Sequence, residues 1–259
     1  MLDETVISRA IIETYMKKLT ENLSVDVAIV GAGPSGLVAG YYLAKAGRKV
    51  AIFERALAVG GGMWGGGMGF NEIVVQEEGK AVLDEFDLPA VRYVQGYYTL
   101  DSVRAVSALA LRAVEAGVTV FNLVGVEDVV LHDERVSGLV LNWGTVMKAG
   151  IPVDPLTVHS RCVLDATGHP AQVAEVLCRK MGVSLNTPTG KMMGEMSMDA
   201  EKGEKQTVEN TREAYPGLFV SGMAANAVFG GYRMGPVFGG MLLSGKRAAE
   251  VMLARLGER

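Results

Sequence analysis

The segment Gly31-Ala-Gly33-Pro-Ser-Gly36 constrains this chain more than any other. It reads G-x-G-x-x-G, and its surroundings give the pattern a context. Residues 25–30 (Val-Asp-Val-Ala-Ile-Val) form a short apolar strand before it, and residues 35–46 continue as a helix of small and apolar side chains. A second strand at 50–53 closes a βαβ unit, for which a right-handed crossover is expected. Gly31 permits the tight turn, Gly33 lets backbone approach a pyrophosphate, and Gly36 lets helix and strand pack closely. The helix N-terminus adds free N–H groups and the positive end of a dipole. Glu54 ends the second strand about twenty residues on, where a ribose-hydroxyl acceptor belongs. An acid there favours a free 2′-hydroxyl and repels a 2′-phosphate, which disfavours NADP, although Arg55 follows immediately. The expected fold is α/β: a Rossmann-like dinucleotide-binding fold of the two-dinucleotide flavoprotein type. Its sheet is mainly parallel with an added β-hairpin or meander, in one enzyme domain over residues 1–259.

Periodicity supplies further elements. Val6, Ile7, Ala10, Ile11, Tyr15 and Leu19 make the stripe of an amphipathic helix at 4–20. A second glycine cluster occupies 59–69. A helix is expected at 100–116 and a strand at 118–123. Strands at 126–131 and 136–140 flank a hairpin turn, His132-Asp-Glu-Arg135. A strand at 161–166 runs into Thr167-Gly-His169, followed by a helix at 171–181. The highly charged stretch 199–214 reads as exposed. A strand at 217–222 enters a glycine-rich turn, and a helix at 239–256 closes the chain.

Composition excludes several roles. A net charge of −4 gives no polyanion-binding surface, so nucleic acid is not an expected partner. No run of 18 uncharged apolar residues suggests a membrane span. Cys162 and Cys178, the only two cysteines, build neither a disulfide framework nor a thiolate metal cluster. A reducing, cytoplasmic setting fits, and the N-terminus lacks the order of a signal peptide.

The choice between NAD and FAD is harder. The late Gly217-Leu-Phe-Val-Ser-Gly222 before the last helix resembles two-dinucleotide flavoproteins, in which an acid usually follows that glycine. Here Met223-Ala-Ala-Asn226 follows. A flavin-dependent oxidoreductase on the same scaffold remains an alternative at this point.

Over its whole length the chain resembles the thiamine thiazole synthases, in their shorter archaeal and bacterial form. The matching segments are Gly31–Gly36, Phe53-Glu-Arg55, Gly60-Gly-Gly-Met-Trp-Gly-Gly-Gly67, Val153-Asp-Pro155, Asp165-Ala-Thr-Gly-His169 and Gly231-Tyr-Arg-Met-Gly235. The last three carry the specificity, since many Rossmann flavoproteins share the first. The resemblance implies that NAD is a substrate rather than a redox carrier. NAD loses nicotinamide, the ADP-ribose part condenses with glycine, sulfur is added, and an adenylated thiazole carboxylate results. It further implies that Ser35, Glu54, Arg55, Gly62, Val126 and Met223 line the nucleotide, that Arg233 holds the glycine carboxylate, and that Asp154 and His169 bind Fe(II). It also implies a homo-oligomer, an octamer.

Residue chemistry agrees in part. A guanidinium fork matches a carboxylate, and Arg233 is framed by glycines. His169 follows a strand end, where open α/β sheets place ligands. One imidazole and one carboxylate suit Fe(II) and leave positions open. Asp154 before Pro155 also fits an Asx turn. Asp165 is expected to stabilise the Thr167-Gly168 turn, and His132 and His159 to be solvated. Most of the 14 methionines read as flexible packing around the glycine-rich regions. In eukaryotic members of the family a cysteine two residues before the iron-binding Asp gives up its own sulfur. Pro152 stands there in this chain and offers none, so free sulfide and repeated turnover are expected. Cys162 and Cys178 read as small core residues. Asp154 and His169 flank the strand expected at 161–166, whose six residues separate its ends by roughly 20 Å. A site shared between subunits follows unless residues 154–160 fold back.

Overall fold

A computed structural model describes residues 1–257. The chain opens with helix α1 (Glu4–Glu21), capped by the Asp3 carboxylate on the Thr5 and Val6 amides. Strand β1 (Ser24–Val30), helix α2 (Pro34–Lys45) and strand β2 (Val50–Glu54) form the expected βαβ unit, with β1 and β2 parallel from Val27↔Val50 to Val30↔Phe53. Val27, Ala28 and Ile29 are fully buried because both faces of the sheet are covered. At the turn, Gly31 has φ +95°, and a Cβ there would stand 2.5 Å from the Ala166 carbonyl oxygen. Only glycine is comfortable in that position.

After a 3-10 turn at Gly61–Gly65 the chain forms β3 (Glu72–Val75), α3 (Glu77–Glu85), β4 (Val91–Val94) and β5 (Tyr97–Asp101), then α4 (Ser102–Glu115), which Asp101 caps. The three strands make a separate antiparallel sheet in the order β3-β5-β4. Next come β6 (Thr119–Asn122), β7 (Val124–His132), β8 (Arg135–Trp143), α5 (Gly144–Ala149) and β9 (Leu156–Asp165). The β7–β8 hairpin turns at Asp133 and Glu134, both at positive φ, as the sequence predicts for that site. The remainder is α6 (Gln172–Met181), β10 (Met196–Met198), α7 (Ala200–Glu209), β11 (Glu213–Tyr215), β12 (Leu218–Val220), α8 (Met223–Phe229), β13 (Tyr232–Arg233) and α9 (Gly239–Gly257).

The main sheet runs β11-β12-β9-β1-β2-β6, parallel except for β11, and β8 joins the N-terminal half of β9 antiparallel. One core cluster on one face holds Ile29, Leu37, Ile52 and Leu242; another on the opposite face holds Phe53, Phe121, Val163 and Leu177. The expected architecture is thus present, with a hairpin and a three-stranded sheet added. No helix among the described residues is long and apolar enough to cross a membrane.

Three expectations need correction. The charged stretch 199–214 is not simply exposed. Its helix α7 buries Gly203, Glu204 and Thr207, and Thr211 beyond it is buried too. The charges occupy one side, while small and polar groups face the interior. Strand β9 begins at Leu156 rather than near 161, because pairing with β8 from Leu156 to His159 extends it; His159 therefore lies inside a strand, though still exposed. The stripe of α1 meets the core only at its C-terminal end: Tyr15 and Leu19 are half-buried against the cluster of Phe121, and Val6, Ile7 and Ile11 are exposed.

Candidate functional site

The C-terminal ends of β1, β2 and β9, with the turn after β12, open onto a cavity of about 560 Å³. Open parallel sheets place ligands at this edge. Gly31, Gly33 and Ser35 form one wall, Glu54, Arg55 and Gly62 a second, and Val126, Met223 and His169 further parts of the lining. A Cβ at Gly33 or Gly62 would meet no atom within 4 Å, so bare backbone borders open space at both. That cradle fits a pyrophosphate approaching the N-terminus of α2. Gly36 lies behind the wall, where a Cβ would collide with the Gly31 carbonyl oxygen. Its task is packing.

Glu54 is 8% exposed and firmly held. Its Oε2 accepts from the Ala32 amide at 2.8 Å, and its Oε1 from the Ala56 amide at 2.7 Å. The carboxylate thereby ties the glycine turn to the end of β2 and keeps further lone pairs for a ribose. Ser35 is buried at the start of α2, and the Ser221 hydroxyl donates to Ser35 Oγ at 3.3 Å. Arg55 is exposed, and its guanidinium has no ion-pair partner among the described residues.

At the end of β9, Asp165 is fully buried and accepts four hydrogen bonds: from the Thr167 amide and hydroxyl, and from the Val173 and Ala174 amides. Burial pushes its carboxyl above the usual range, against the pull of those donors. It stabilises the turn, as the sequence predicts, and ties it to the first turn of α6. His169 projects from that turn with its side chain 53% exposed. Its Nδ1 lies 2.7 Å and 2.8 Å from the two carboxylate oxygens of Glu195, whose own side chain is only 16% exposed. Sequence reading did not single out Glu195. It lies 26 residues from His169 in a methionine-rich run with no motif.

Two expected residues stand outside the cavity lining. Arg233, on β13, presents an exposed guanidinium with no ion-pair partner among the described residues. Its strand is fixed from behind. The Asn226 amide donates to the Tyr232 carbonyl at 3.0 Å, and Gln206 accepts from the Tyr232 amide at 2.9 Å. Asn226 is fully buried and was likewise invisible in the sequence, inside a helix, α8, read as a turn. Asp154 is exposed in the loop before β9, with no side-chain partner among the described residues. Asn142, which pairs with Gly125 of the cavity lining, donates to the Val153 carbonyl at 3.2 Å and holds this loop near the cavity rim. Leu156 to His159 run antiparallel to β8 and Ser160 to Asp165 run with β1, so the chain does fold back, yet Asp154 stays outside the lining that includes His169.

Among the described residues no three His, Cys, Asp or Glu side chains gather as a metal cage. The donors near the cavity are nonetheless of the right kind. His169 has Nδ1 engaged and Nε2 free, and the carboxylate at Asp154 is unengaged; one imidazole and one carboxylate suit Fe(II) if a second subunit brings them together. Cys162 is buried and Cys178 half-buried, and neither lines the cavity. Burial pushes both thiols up, which makes them poor thiolates.

Comparison with known proteins gives consistent results. The description "Thi4 family" matches residues 8–238. A protein named thiamine thiazole synthase from Methanothermobacter thermautotrophicus is 58% identical over 255 residues, covering 98% of this chain and 99% of that one. One of the same name from Pyrococcus furiosus is 58% identical over 257 residues, covering 99% and 100%. The crystal structure of Thermovibrio ammonificans THI4 superposes with a TM-score of 0.98 at 56% identity, covering 100% of both chains. A geranylgeranyl bacteriochlorophyll reductase-like protein from Thermoplasma acidophilum shares the fold at a TM-score of 0.58 and 15% identity, over 90% of this chain and 79% of that one.

Proposed function

The chain belongs to the Thi4 family and is an enzyme of thiamine biosynthesis acting on the thiazole half, and from that premise we propose that it builds an adenylated thiazole carboxylate from NAD, glycine and sulfide. One observation carries the reading: a single cavity is lined by the glycine turn, by Glu54 and by His169. A dinucleotide cradle and a free imidazole donor therefore share one space.

The chain's own groups divide the work. The amides at the start of α2 hold the pyrophosphate, with Gly33 and Gly62 allowing close approach. Glu54 accepts from the ribose hydroxyls. Val126 and Met223 supply apolar walls, and Arg55 lies at the rim. Arg233 pairs with the carboxylate of glycine. His169 through Nε2, and Asp154 from a neighbouring subunit, hold Fe(II). When bound, Fe(II) supplies a Lewis-acidic centre with open positions at which sulfide and substrate can meet. Pro152 carries no sulfur, and both thiols lie away from the cavity, so the sulfur comes from free sulfide and the enzyme turns over repeatedly. The chain works as a homo-oligomer, by resemblance an octamer. The exposed apolar residues of α1 and of the three-stranded sheet, Val91, Tyr93 and Tyr97 among them, support association.

The test is an anaerobic incubation with NAD, glycine, sulfide and Fe(II), followed by mass spectrometry of product and protein. Expected are sulfide dependence, more than one product per subunit and unchanged protein mass, with Cys162→Ser and Cys178→Ser both active. A halt at one product per subunit, with loss of the mass of hydrogen sulfide at either cysteine, would overturn the sulfide mechanism. A yellow, flavin-loaded protein that leaves NAD intact would overturn the whole reading.

A further inference from the structure

We infer that Glu195 is a positioning residue for His169: it fixes the imidazole through Nδ1 and leaves Nε2 as the free donor toward the cavity. The inference rests on the proposed role of His169 as a metal ligand for its purpose, but its geometry stands alone.

His169 needs a partner. It projects from a turn, its ring is mostly exposed, and no other side chain among the described residues bonds to it. An exposed imidazole without a fixed partner samples several rotamers and both neutral tautomers. Glu195 is the less exposed of the two and brings both carboxylate oxygens to the same ring nitrogen. A carboxylate only accepts, so the neutral ring carries its proton on Nδ1 and keeps the Nε2 lone pair. A carboxylate behind a ligating imidazole also strengthens the imidazole as a donor.

Glu195 is itself anchored on both sides. Before it, the Met193 amide donates to the Val228 carbonyl and the Gly194 amide to the Ala227 carbonyl, each at 3.0 Å, which ties the segment to α8. After it, the Met196 amide donates to the Gly231 carbonyl at 3.0 Å and starts the β10–β13 pairing. That pairing ends with the Asp199 amide on the Arg233 carbonyl, also at 3.0 Å. The same short ribbon therefore sets the His169 ring and the strand that carries Arg233. Glu195 links the two, which a surface ion pair between mobile side chains would not do.

The experiment uses the full-length protein, assembled as it is purified, with Co(II) as the metal probe and ¹⁵N-histidine labelling. The chain has 3 histidines, so Nδ1 and Nε2 signals are assigned by substituting each in turn. In the metal-free protein, His169 is expected as the Nδ1–H tautomer, moving toward Nε2–H in Glu195→Ala. Co(II) affinity, read from its visible absorption, is expected to fall roughly 10–100-fold in Glu195→Ala, with an intermediate loss in Glu195→Gln, which keeps one acceptor oxygen. NAD affinity is expected to be unchanged in both, which excludes general unfolding. An unaltered tautomer in Glu195→Ala and Glu195→Gln would overturn the inference. If His169→Ala binds Co(II) like the wild type, the metal assignment of the preceding section falls, and the tautomer shift still decides the role of Glu195.

Discussion

Mixing two inactive variants tests whether the proposed iron ligands come from different subunits. Asp154 stands on the loop before β9, outside the cavity lining that includes His169, and no three potential ligands gather among the described residues of one chain. Two groups on one metal lie only a few ångströms apart, so a carboxylate from a second subunit would complete the site. Asp154→Ala and His169→Ala should each be inactive alone, while NAD binding persists in both. A shared site is whole only where an Asp154→Ala subunit, which keeps the imidazole, meets a His169→Ala subunit, which keeps the carboxylate. In an equal mixture with random pairing, each condition is met half the time, so about one quarter of the sites should recover. Subunits are exchanged, exchange is verified by native mass spectrometry, and product is measured anaerobically. No recovery in verified mixed assemblies would refute a site shared across the interface.

Three further outcomes are expected. Glu54→Gln sets an amide NH₂ against one of two backbone donors, Ala32 or Ala56; loss of a charged hydrogen bond, about 1.5–3 kcal/mol, should appear as weaker NAD binding in titration calorimetry. Unchanged affinity would remove Glu54 from the ribose. Arg233→Ala should raise the KM for glycine by about 10-fold or more, from the same range of bond energies, and leave NAD affinity in place; equal losses for both ligands would end that assignment. Burial, against bonds from Gln76 and the Gly240 amide, holds the Glu204 carboxyl above its ordinary value. The folded state therefore keeps its proton longer than the unfolded state, and stability falls as pH rises from about 4.3 through the raised value. Glu204→Gln should flatten that part of a melting-temperature profile, and an identical slope would show that the group does not titrate in this window.

The sequence displays what is local and hides what is made by distant pairing. The strand, glycine turn, helix and Glu54 lie within 30 residues and each announces its neighbour, so the dinucleotide cradle is legible. Asp165 is legible too, because it bonds the turn two residues on. Glu195 is not, because only the pairing of β10 with β13 brings it beneath His169. Helix α7 misleads because its many charges hide a buried face made of Gly203, Glu204 and Thr207, residue types that carry no hydrophobic signal. The length of β9 misleads because Thr157 and His159 point to solvent and dilute the apolar pattern, while pairing with β8 extends the strand to Leu156. Asp154 and Arg233 came from the resemblance, and neither lines the cavity of one chain.

Helix α1 has 18 residues and none of them is buried. Helices in water draw most of their order from what they pack against, and one of this length with mixed composition holds its shape weakly alone. Its hold on the rest of the fold lies at one end, where Tyr15 and Leu19 pack against the core beside Phe121. The first half of the helix, with Val6, Ile7 and Ile11 bare to water, is thus its least anchored part.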